Sequence, residues 1–194
     1  MNTNFLLCGV GGQGTVLASR LISTAAMARG LDVHSAETIG MAQRGGSVVS
    51  HVRIGDAVFS PLIPCGGADV IIAFEPAEAV RCLPYLKKEG VIAVSTKVVQ
   101  PTTASLTGKV FESEPMLDYL KQHAKKVIVI DTDALCKKMG SSKIANTLLL
   151  GAVLTVSESS LSYDDLEGAI KQLVKPKFVD LNIKAIKAGQ AAAR

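Results

Sequence analysis

The chain has 194 residues, 48% of them apolar and 20% charged, which suits one globular domain with a sizeable core and excludes a disordered chain. Aromatic residues make up only 4%, with no tryptophan, and no Lys/Arg-rich run accompanies a nucleic-acid motif, so stacking on single strands is not expected. The net charge of +4 sits in the tail: residues 171–194 carry six basic side chains against one acidic, leaving 15 basic against 16 acidic elsewhere, and the excess reads as a solvated helix face or a docking surface for an acidic partner.

The first predicted element is a strand over residues 4–10, whose apolar run Phe5-Leu6-Leu7 enters the turn Cys8-Gly9-Val10-Gly11-Gly12-Gln13-Gly14. Gly9, Gly11 and Gly14 carry the G-x-G-x-x-G spacing, and Gly12 adds a fourth residue without a side chain. Between a strand and a helix, that spacing gives a sharp turn and bare backbone aimed at one spot, where the positive end of the helix dipole favours an anion. The same glycines would also serve a turn that only packs a helix on a sheet. A helix follows over residues 12–29, with Val16, Leu17, Ala18, Leu21, Ile22, Ala25 and Ala26 as its apolar face and Gly30 as its C-cap. The next strand, 31–36, leads to Glu37, 23 residues after Gly14; in a dinucleotide fold an acid at that separation holds a ribose hydroxyl.

A second crossover helix does not follow. Residues 47–54 nearly alternate between apolar and polar, Gly55-Asp56 is a two-residue turn signal, and 57–60 is again extended, which predicts an antiparallel hairpin and a mixed sheet. After a loop over 61–67, residues 68–74 read as a buried parallel strand because they are almost continuously apolar. Glu75-Pro76 opens a helix to about residue 88, with the proline tolerated in its first turn. A buried strand over 91–95, a long polar connection over 96–108, a short strand near 109–111, a helix over 114–124 and a strand over 126–130 complete the alternation. The remainder is helical: 133–139, then 144–157 with apolar residues on nearly all sides, then a helix to 174 opened by the capping box Ser162 and Asp165, and a last helix over 178–193 beyond Pro176. A single domain over 1–194 is expected, with the helical part from about 133 packed on the α/β part.

The second glycine-rich element, Gln43-Arg44-Gly45-Gly46, places a guanidinium beside two glycines, a charged fork for phosphate or carboxylate if it shares the first loop's crevice. Its plain alternative is a surface turn. His51 in the predicted hairpin is read as structural or solvated rather than catalytic, and His34 and His123 carry weaker signals still. Asp131 and Asp133 at a strand end could bind a metal or a ribose, with an N-cap role for Asp133 preferred. Glu75, Glu78 and Arg81 could pair across one helix, and Asn146 in a buried helix either ties down a loop or faces a ligand. Four scattered cysteines without C-x-x-C give no zinc or iron–sulfur ligand set. The thiamine diphosphate motif, a P-loop lysine and a Ser/His/Asp set are also missing. No catalytic residue and no metal ligand is therefore nominated: the sequence has places to hold anions and no visible reactive group. No signal-peptide pattern and no apolar stretch long enough to span a membrane are present, so a cytoplasmic location away from membranes is expected.

Taken together, Gly9-x-Gly-Gly-Gln-Gly14, Glu37-Thr-x-Gly-Met-x-Gln-Arg-Gly-Gly46, Ser47-Val-Val-Ser-His-Val-Arg-Ile-Gly55, Ala68-Asp-Val-Ile, Phe74-Glu-Pro-x-Glu78-Ala-x-Arg81 and Ala145-Asn-Thr-x-Leu-Leu-Gly-Ala152 resemble the gamma subunit or domain of 2-oxoacid:ferredoxin oxidoreductases. The Gly-Met-x-Gln-Arg-Gly-Gly form is most similar to the beta subunit of indolepyruvate-type enzymes. The resemblance implies a three-layer α/β/α, Rossmann-like domain with a mixed, mainly parallel sheet and a β-hairpin insertion. It also implies a role in the oxidative decarboxylation of an aryl 2-oxo acid to its acyl-coenzyme A, with ferredoxin as electron acceptor. Thiamine diphosphate and [4Fe–4S] clusters would belong to a larger alpha-type partner subunit, ferredoxin would be reached through the complex, and this chain alone would be inactive and hold no tight cofactor. Carried over by position, Gly9, Gly11, Gly12, Gln13 and Gly14 would form the anion turn, and Gln43, Arg44, Gly45 and Gly46 a loop near the shared active site or the coenzyme A diphosphate at the interface. A homodimer of the isolated chain stays open. So does an alternative of another class, a stand-alone NAD(P)-binding dehydrogenase or redox-sensing module resting on G-x-G-x-x-G and Glu37.

Overall fold

Eight consecutive buried residues, Thr3–Val10, form β1, and a strand shielded on both faces belongs in the middle of a sheet. In this computed structural model, which describes residues 2–38, 45–56, 58–101, 104, 108, 110–155 and 161–193, β1 pairs parallel with β4 (Ala68–Ala73) on one side and antiparallel with β3 (Ser47–Ile54) on the other. Beyond β4 come β5 (Leu86–Ser95) and β6 (Lys126–Ile130), both parallel, and beyond β3 comes β2 (Val33–Glu37), so the order is β2-β3-β1-β4-β5-β6.

Strand alternation splits the core in two. Phe5, Leu7, Val70, Ile72, Ala93 and Ile130 face α1 (Thr15–Ala28), α5 (Ala145–Leu154) and α6 (Tyr163–Leu173). Leu6, Cys8, Ile71, Ala73, Ile92 and Val94 face α2 (Pro76–Cys82) and α3 (Ser113–His123). This is the α/β fold with a mixed, mainly parallel sheet that the sequence implied. Each fully buried side chain such as Leu7, Leu21 or Ile72 contributes ~1.5–3 kcal/mol by leaving water. The thiols of Cys8 and Cys82 meet in the second core, where their hydrogen bond and then burial push the Cys8 thiol well above its ordinary value.

The helix ends follow local chemistry. α1 stops where Gly30 adopts φ 74°: its N–H donates to the Met27 carbonyl at 2.9 Å and that of Leu31 to Ala26 at 3.2 Å, a Schellman closure. Ser162 and Asp165 cap α6 reciprocally, as predicted. α4 (Thr132–Met139) corrects the expectation for its cap: the Asp131 carboxylate accepts from Ala134 N–H at 2.9 Å, while Asp133 lies in the first turn. The last helix, α7 (Pro176–Ala192), packs on α5 by bare backbone: a Cβ on Gly151 would stand 2.1 Å from the Ile186 carbonyl oxygen, and one on Gly189 1.9 Å from that of Leu148. The basic tail is mostly solvated helix surface, with Lys171 paired to Glu167 at 2.6 Å and Lys187 over the Tyr163 ring. Among the described residues no helix is long and apolar enough to cross a membrane.

Three further expectations are corrected. The hairpin partner of β3 is the preceding strand β2, and Val58–Ser60 form no strand; with β1 on one edge of β3 and β2 on the other, neither edge has free hydrogen bonds for a third run. α2 ends at Cys82, followed by a 3-10 turn over Leu83–Tyr85, and β5 starts at Leu86, not near 91; Pro84 has no N–H to donate, so the α-helical ladder stops there. Val110 and Phe111 are not in a strand, although the Gln100 side chain imitates one by donating to the Phe111 carbonyl at 2.7 Å and accepting from its N–H at 3.0 Å. Ala57, Lys109 and the predicted helix end at 156–157 lie outside the described residues.

Candidate functional site

The turn after β1 is shaped by left-handed glycines. Gly12 has φ 97° and Gly14 φ 86°, and Gly14 stands at the N-cap of α1 with no side chain to cap the helix. Only glycine takes that conformation without strain. Gly9 serves packing: a Cβ there would come within 2.6 Å of Gln13 Oε1 and 2.9 Å of Phe74 Cβ. Gln13 is a strap, accepting from Val10 N–H at 2.7 Å and donating to the Phe74 carbonyl at 3.2 Å, which ties the ends of β1 and β4 together. Gly11 N–H donates to the Gly46 carbonyl at 3.0 Å, so the two glycine-rich elements touch. Gly45, with φ 81°, has open space where a side chain would stand. Gln43 and Arg44 lie outside the described residues. Of the turn's donors, the N–H groups of Gly12 and Gly14 find no acceptor among the described residues, while Gly11 and Gln13 are already hydrogen-bonded.

Those two donors open on a cleft of about 530 Å³ at the carboxyl ends of the parallel strands. The turn after β1 contributes Gly12, Gln13 and Gly14; β4 leads to Phe74; β5 supplies Ser95 and, just past its end, Lys97; Thr132 begins α4; Ser142, Lys143 and Asn146 come from the 3-10 turn Ser142–Ile144 and the start of α5. Crevices at this end of a parallel sheet are where α/β folds take ligands. The Ser95 and Thr132 hydroxyls, both buried, are 2.7 Å apart at its floor. Lys97 is paired to Asp133 at 2.9 Å, whereas Lys143 has no carboxylate partner among the described residues. Among the described residues no acidic side chain lines the cleft, and the uncapped N-terminus of α1 opens on it. Such a lining suits a negative group, which backbone N–H groups and one ammonium could hold.

Asn146 is 3% exposed; its Oδ1 accepts from Thr147 N–H, and its Nδ2 lies 3.1 Å from where a Gly14 Cβ would be. It therefore both lines the cleft and excludes a side chain from Gly14. Beside the cleft, Glu75 and Glu78 are both buried. Glu75 caps α2 by accepting from Glu78 N–H at 2.9 Å, and burial raises its carboxyl above the ordinary range. Glu78 takes a hydrogen bond from Ser47 at 2.5 Å and an ion pair from Arg81 at 2.6 Å, so it fastens the strand that follows Gly46 to α2.

The remaining candidates fall elsewhere. His51 is buried, accepts from Ile63 N–H through Nδ1 at 3.2 Å and lies edge-on to Tyr85, and burial lowers its pKa; it is structural. His123 stacks on Tyr119, and His34 lies on the edge strand β2. Glu37 accepts from Ser19 at 2.8 Å and opens on a separate groove beside α1. Because β3 separates β2 from β1, Glu37 is two strands from the glycine turn, away from the place a ribose-binding acid occupies in a dinucleotide fold. Sequence reasoning missed Ser95, Lys97, Thr132 and Lys143. Their one local signal is position, since each lies at or just past the end of a predicted parallel strand or just before the buried helix. Among the described residues no group of three or more His, Cys, Asp or Glu side chains could hold a metal ion.

Comparison with known proteins bears on the family and the fold. The chain is 43% identical over 190 residues to the indolepyruvate oxidoreductase subunit IorB of Archaeoglobus fulgidus, covering 97% of this chain and 94% of that one. In fold it is similar to the gamma subunit of a keto/oxoacid ferredoxin oxidoreductase from Geobacter sulfurreducens, with a TM-score of 0.72, 24% identity and 98% of each chain covered. It is also similar to the 2-oxoglutarate:ferredoxin oxidoreductase of Magnetococcus marinus, solved with 2-oxoglutarate, coenzyme A and succinyl-CoA bound, with a TM-score of 0.72, 18% identity, and 99% of this chain but 31% of that one covered. The model of the family described as pyruvate ferredoxin/flavodoxin oxidoreductase matches residues 4–192, and the chain belongs to that family.

Proposed function

We propose that the chain is the small subunit of an indolepyruvate-type 2-oxoacid:ferredoxin oxidoreductase, and that its cleft receives the diphosphate of coenzyme A. The observation that carries the second half is that the Gly12 and Gly14 N–H groups and Lys143, none of them with an acceptor or carboxylate partner among the described residues, lie with the N-terminus of α1 on one cleft of about 530 Å³. A diphosphate fits that donor set: two N–H groups and an ammonium, with no carboxylate among the described residues of the wall to repel it. Bound there, coenzyme A would supply the thiol that takes up the acyl group. The residues of this chain bind and orient: Gly12 and Gly14 hold phosphate oxygens, Lys143 neutralises charge, and Gln13 keeps the turn fixed against β4. The redox cofactors, thiamine diphosphate and iron–sulfur clusters, are assigned to a larger partner subunit, and electrons leave to ferredoxin through that subunit. The 43% identity over nearly full lengths to an indolepyruvate oxidoreductase subunit supports the choice of an aryl 2-oxo acid.

In the enzyme assembled with its large subunit, Lys143→Ala is expected to raise the KM for coenzyme A about tenfold, the worth of one charge-assisted contact, with the KM for the 2-oxo acid unchanged. An unchanged KM for coenzyme A removes the cleft assignment. Turnover of indolepyruvate by the chain alone removes the division of labour. The NAD(P) reading keeps only the glycine spacing in its favour; micromolar binding of NADH or NADPH by the lone chain in calorimetry would restore it.

A further inference from the structure

Asn146 is a polar side chain at the head of an apolar helix, in which every residue from 146 to 153 is buried. Its Oδ1 accepts from Thr147 N–H at 2.9 Å, and that bond fixes which end of the amide turns away from its own helix. The other end, Nδ2, carries two N–H groups, and neither has an acceptor among the described residues. A buried donor without a partner forfeits the hydrogen bonds it made in water, so Asn146 calls for an acceptor from outside the chain. Two other buried side-chain atoms without a partner, Ser50 Oγ and Tyr163 Oη, are sealed from solvent; Asn146 lines the cleft.

Its neighbours say what kind of acceptor is wanted. Nδ2 lies 3.1 Å from where a Gly14 Cβ would stand, beside the N-cap of α1 that no side chain caps. The Gly12 and Gly14 N–H groups and the Lys143 ammonium on the same cleft are donors too, and no carboxylate is among its described lining residues. A set made of donors cannot satisfy itself; it suits an anion whose several oxygens take hydrogen bonds from one side. We propose that Asn146 Nδ2 donates to the phosphate group held by Gly14 N–H, as a third fixed donor of the diphosphate site; this rests on the coenzyme A reading. Being uncharged, the amide adds direction: it sets where one oxygen lies, while Lys143 and the helix dipole meet the charge.

The test is steady-state kinetics of the enzyme assembled with its large subunit, comparing Asn146→Ala and Asn146→Asp with Lys143→Ala as the reference. Asn146→Ala should raise the KM for coenzyme A about tenfold. Asn146→Asp, nearly the same shape but with an anion facing the phosphate, should raise it about a hundredfold. The KM for the 2-oxo acid and kcat should stay at their wild-type values, and so should the thermal midpoint of Asn146→Asp, because an acid in the first turn of a helix is favourable. A residue that only packs the helix would not rank the two variants by charge. Wild-type KM for coenzyme A in both Asn146 variants, with a raised value in Lys143→Ala, overturns the inference and leaves water as the acceptor; should Asn146→Asp fail to fold, Asn146→Ala decides alone. Unchanged values in all three overturn the coenzyme A reading itself, and the inference with it.

Discussion

Glycine is used in two opposite ways at two places in this molecule. In the seam between α5 and α7, Gly151 and Gly189 have helical backbones and are glycine because another helix's carbonyl occupies the place of a Cβ. In the turn after β1, Gly12 is glycine because its φ of 97° demands it, and the space where a Cβ would stand is open. The first kind is filled by the protein itself and holds the helical layer together. The second faces a cleft, and the space it leaves is available to a ligand. Substitutions should therefore separate into a class that unfolds and a class that folds but does not bind.

The largest effect is expected at the seam. Gly189→Ala would drive a methyl to 1.9 Å from the Leu148 carbonyl, forcing α7 off α5; a loss of about 3 kcal/mol or more is expected in denaturant unfolding. A loss below about 1 kcal/mol would show that the helices can separate freely and would erase the contrast. Next comes Gln13→Leu, which leaves Val10 N–H and the Phe74 carbonyl without their partner. It should cost about 1–3 kcal/mol and also loosen the turn, so it tests both classes in one chain. Gly12→Ala should cost only about 1–2 kcal/mol of backbone strain while raising the KM for coenzyme A in the assembled enzyme. Destabilisation as large as that of Gly189→Ala would place Gly12 with the seam glycines.

The smallest effect is a pH dependence beside the cleft. The folded pKa of Glu75 is raised above the ordinary 4.5, first by burial, so the folded state binds its proton more tightly than the unfolded state does. Its contribution to stability is therefore fully present below pH 4.5 and lost as pH rises through the raised folded value. Glu75→Gln should flatten that fall in mildly acidic solution. An identical pH profile in the variant would mean that Glu75 does not carry it.

Much of the parallel half was legible in the sequence. β1, β4 and β6 were continuous apolar runs, the Ser162–Asp165 box fixed the start of α6, and Gly30 marked the end of α1, because all of these are local patterns. The partner of β3 was not legible: residues 31–36 and 57–60 both read from the sequence as short extended runs, and the structure pairs β3 with β2 on one edge and β1 on the other. The end of α2 was written in Pro84, a signal outweighed by the helical spacing of the residues around it. Half of the site was visible as well. The glycine turn carries its own spacing, but Lys97 and Lys143 are 46 residues apart in the chain and meet only because β5 and α5 deliver them to the same end of the sheet. Glu37 shows the reverse failure, a correct sequence separation whose meaning is cancelled by the strand inserted beside β1.

The central claim is that the open glycines and Lys143 hold the diphosphate of coenzyme A. Its most direct test is the KM for coenzyme A and for the 2-oxo acid in the assembled enzyme, compared between wild type and Lys143→Ala. A rise of about tenfold for coenzyme A alone is the predicted result; equal values for coenzyme A, or a rise confined to the 2-oxo acid, would contradict it.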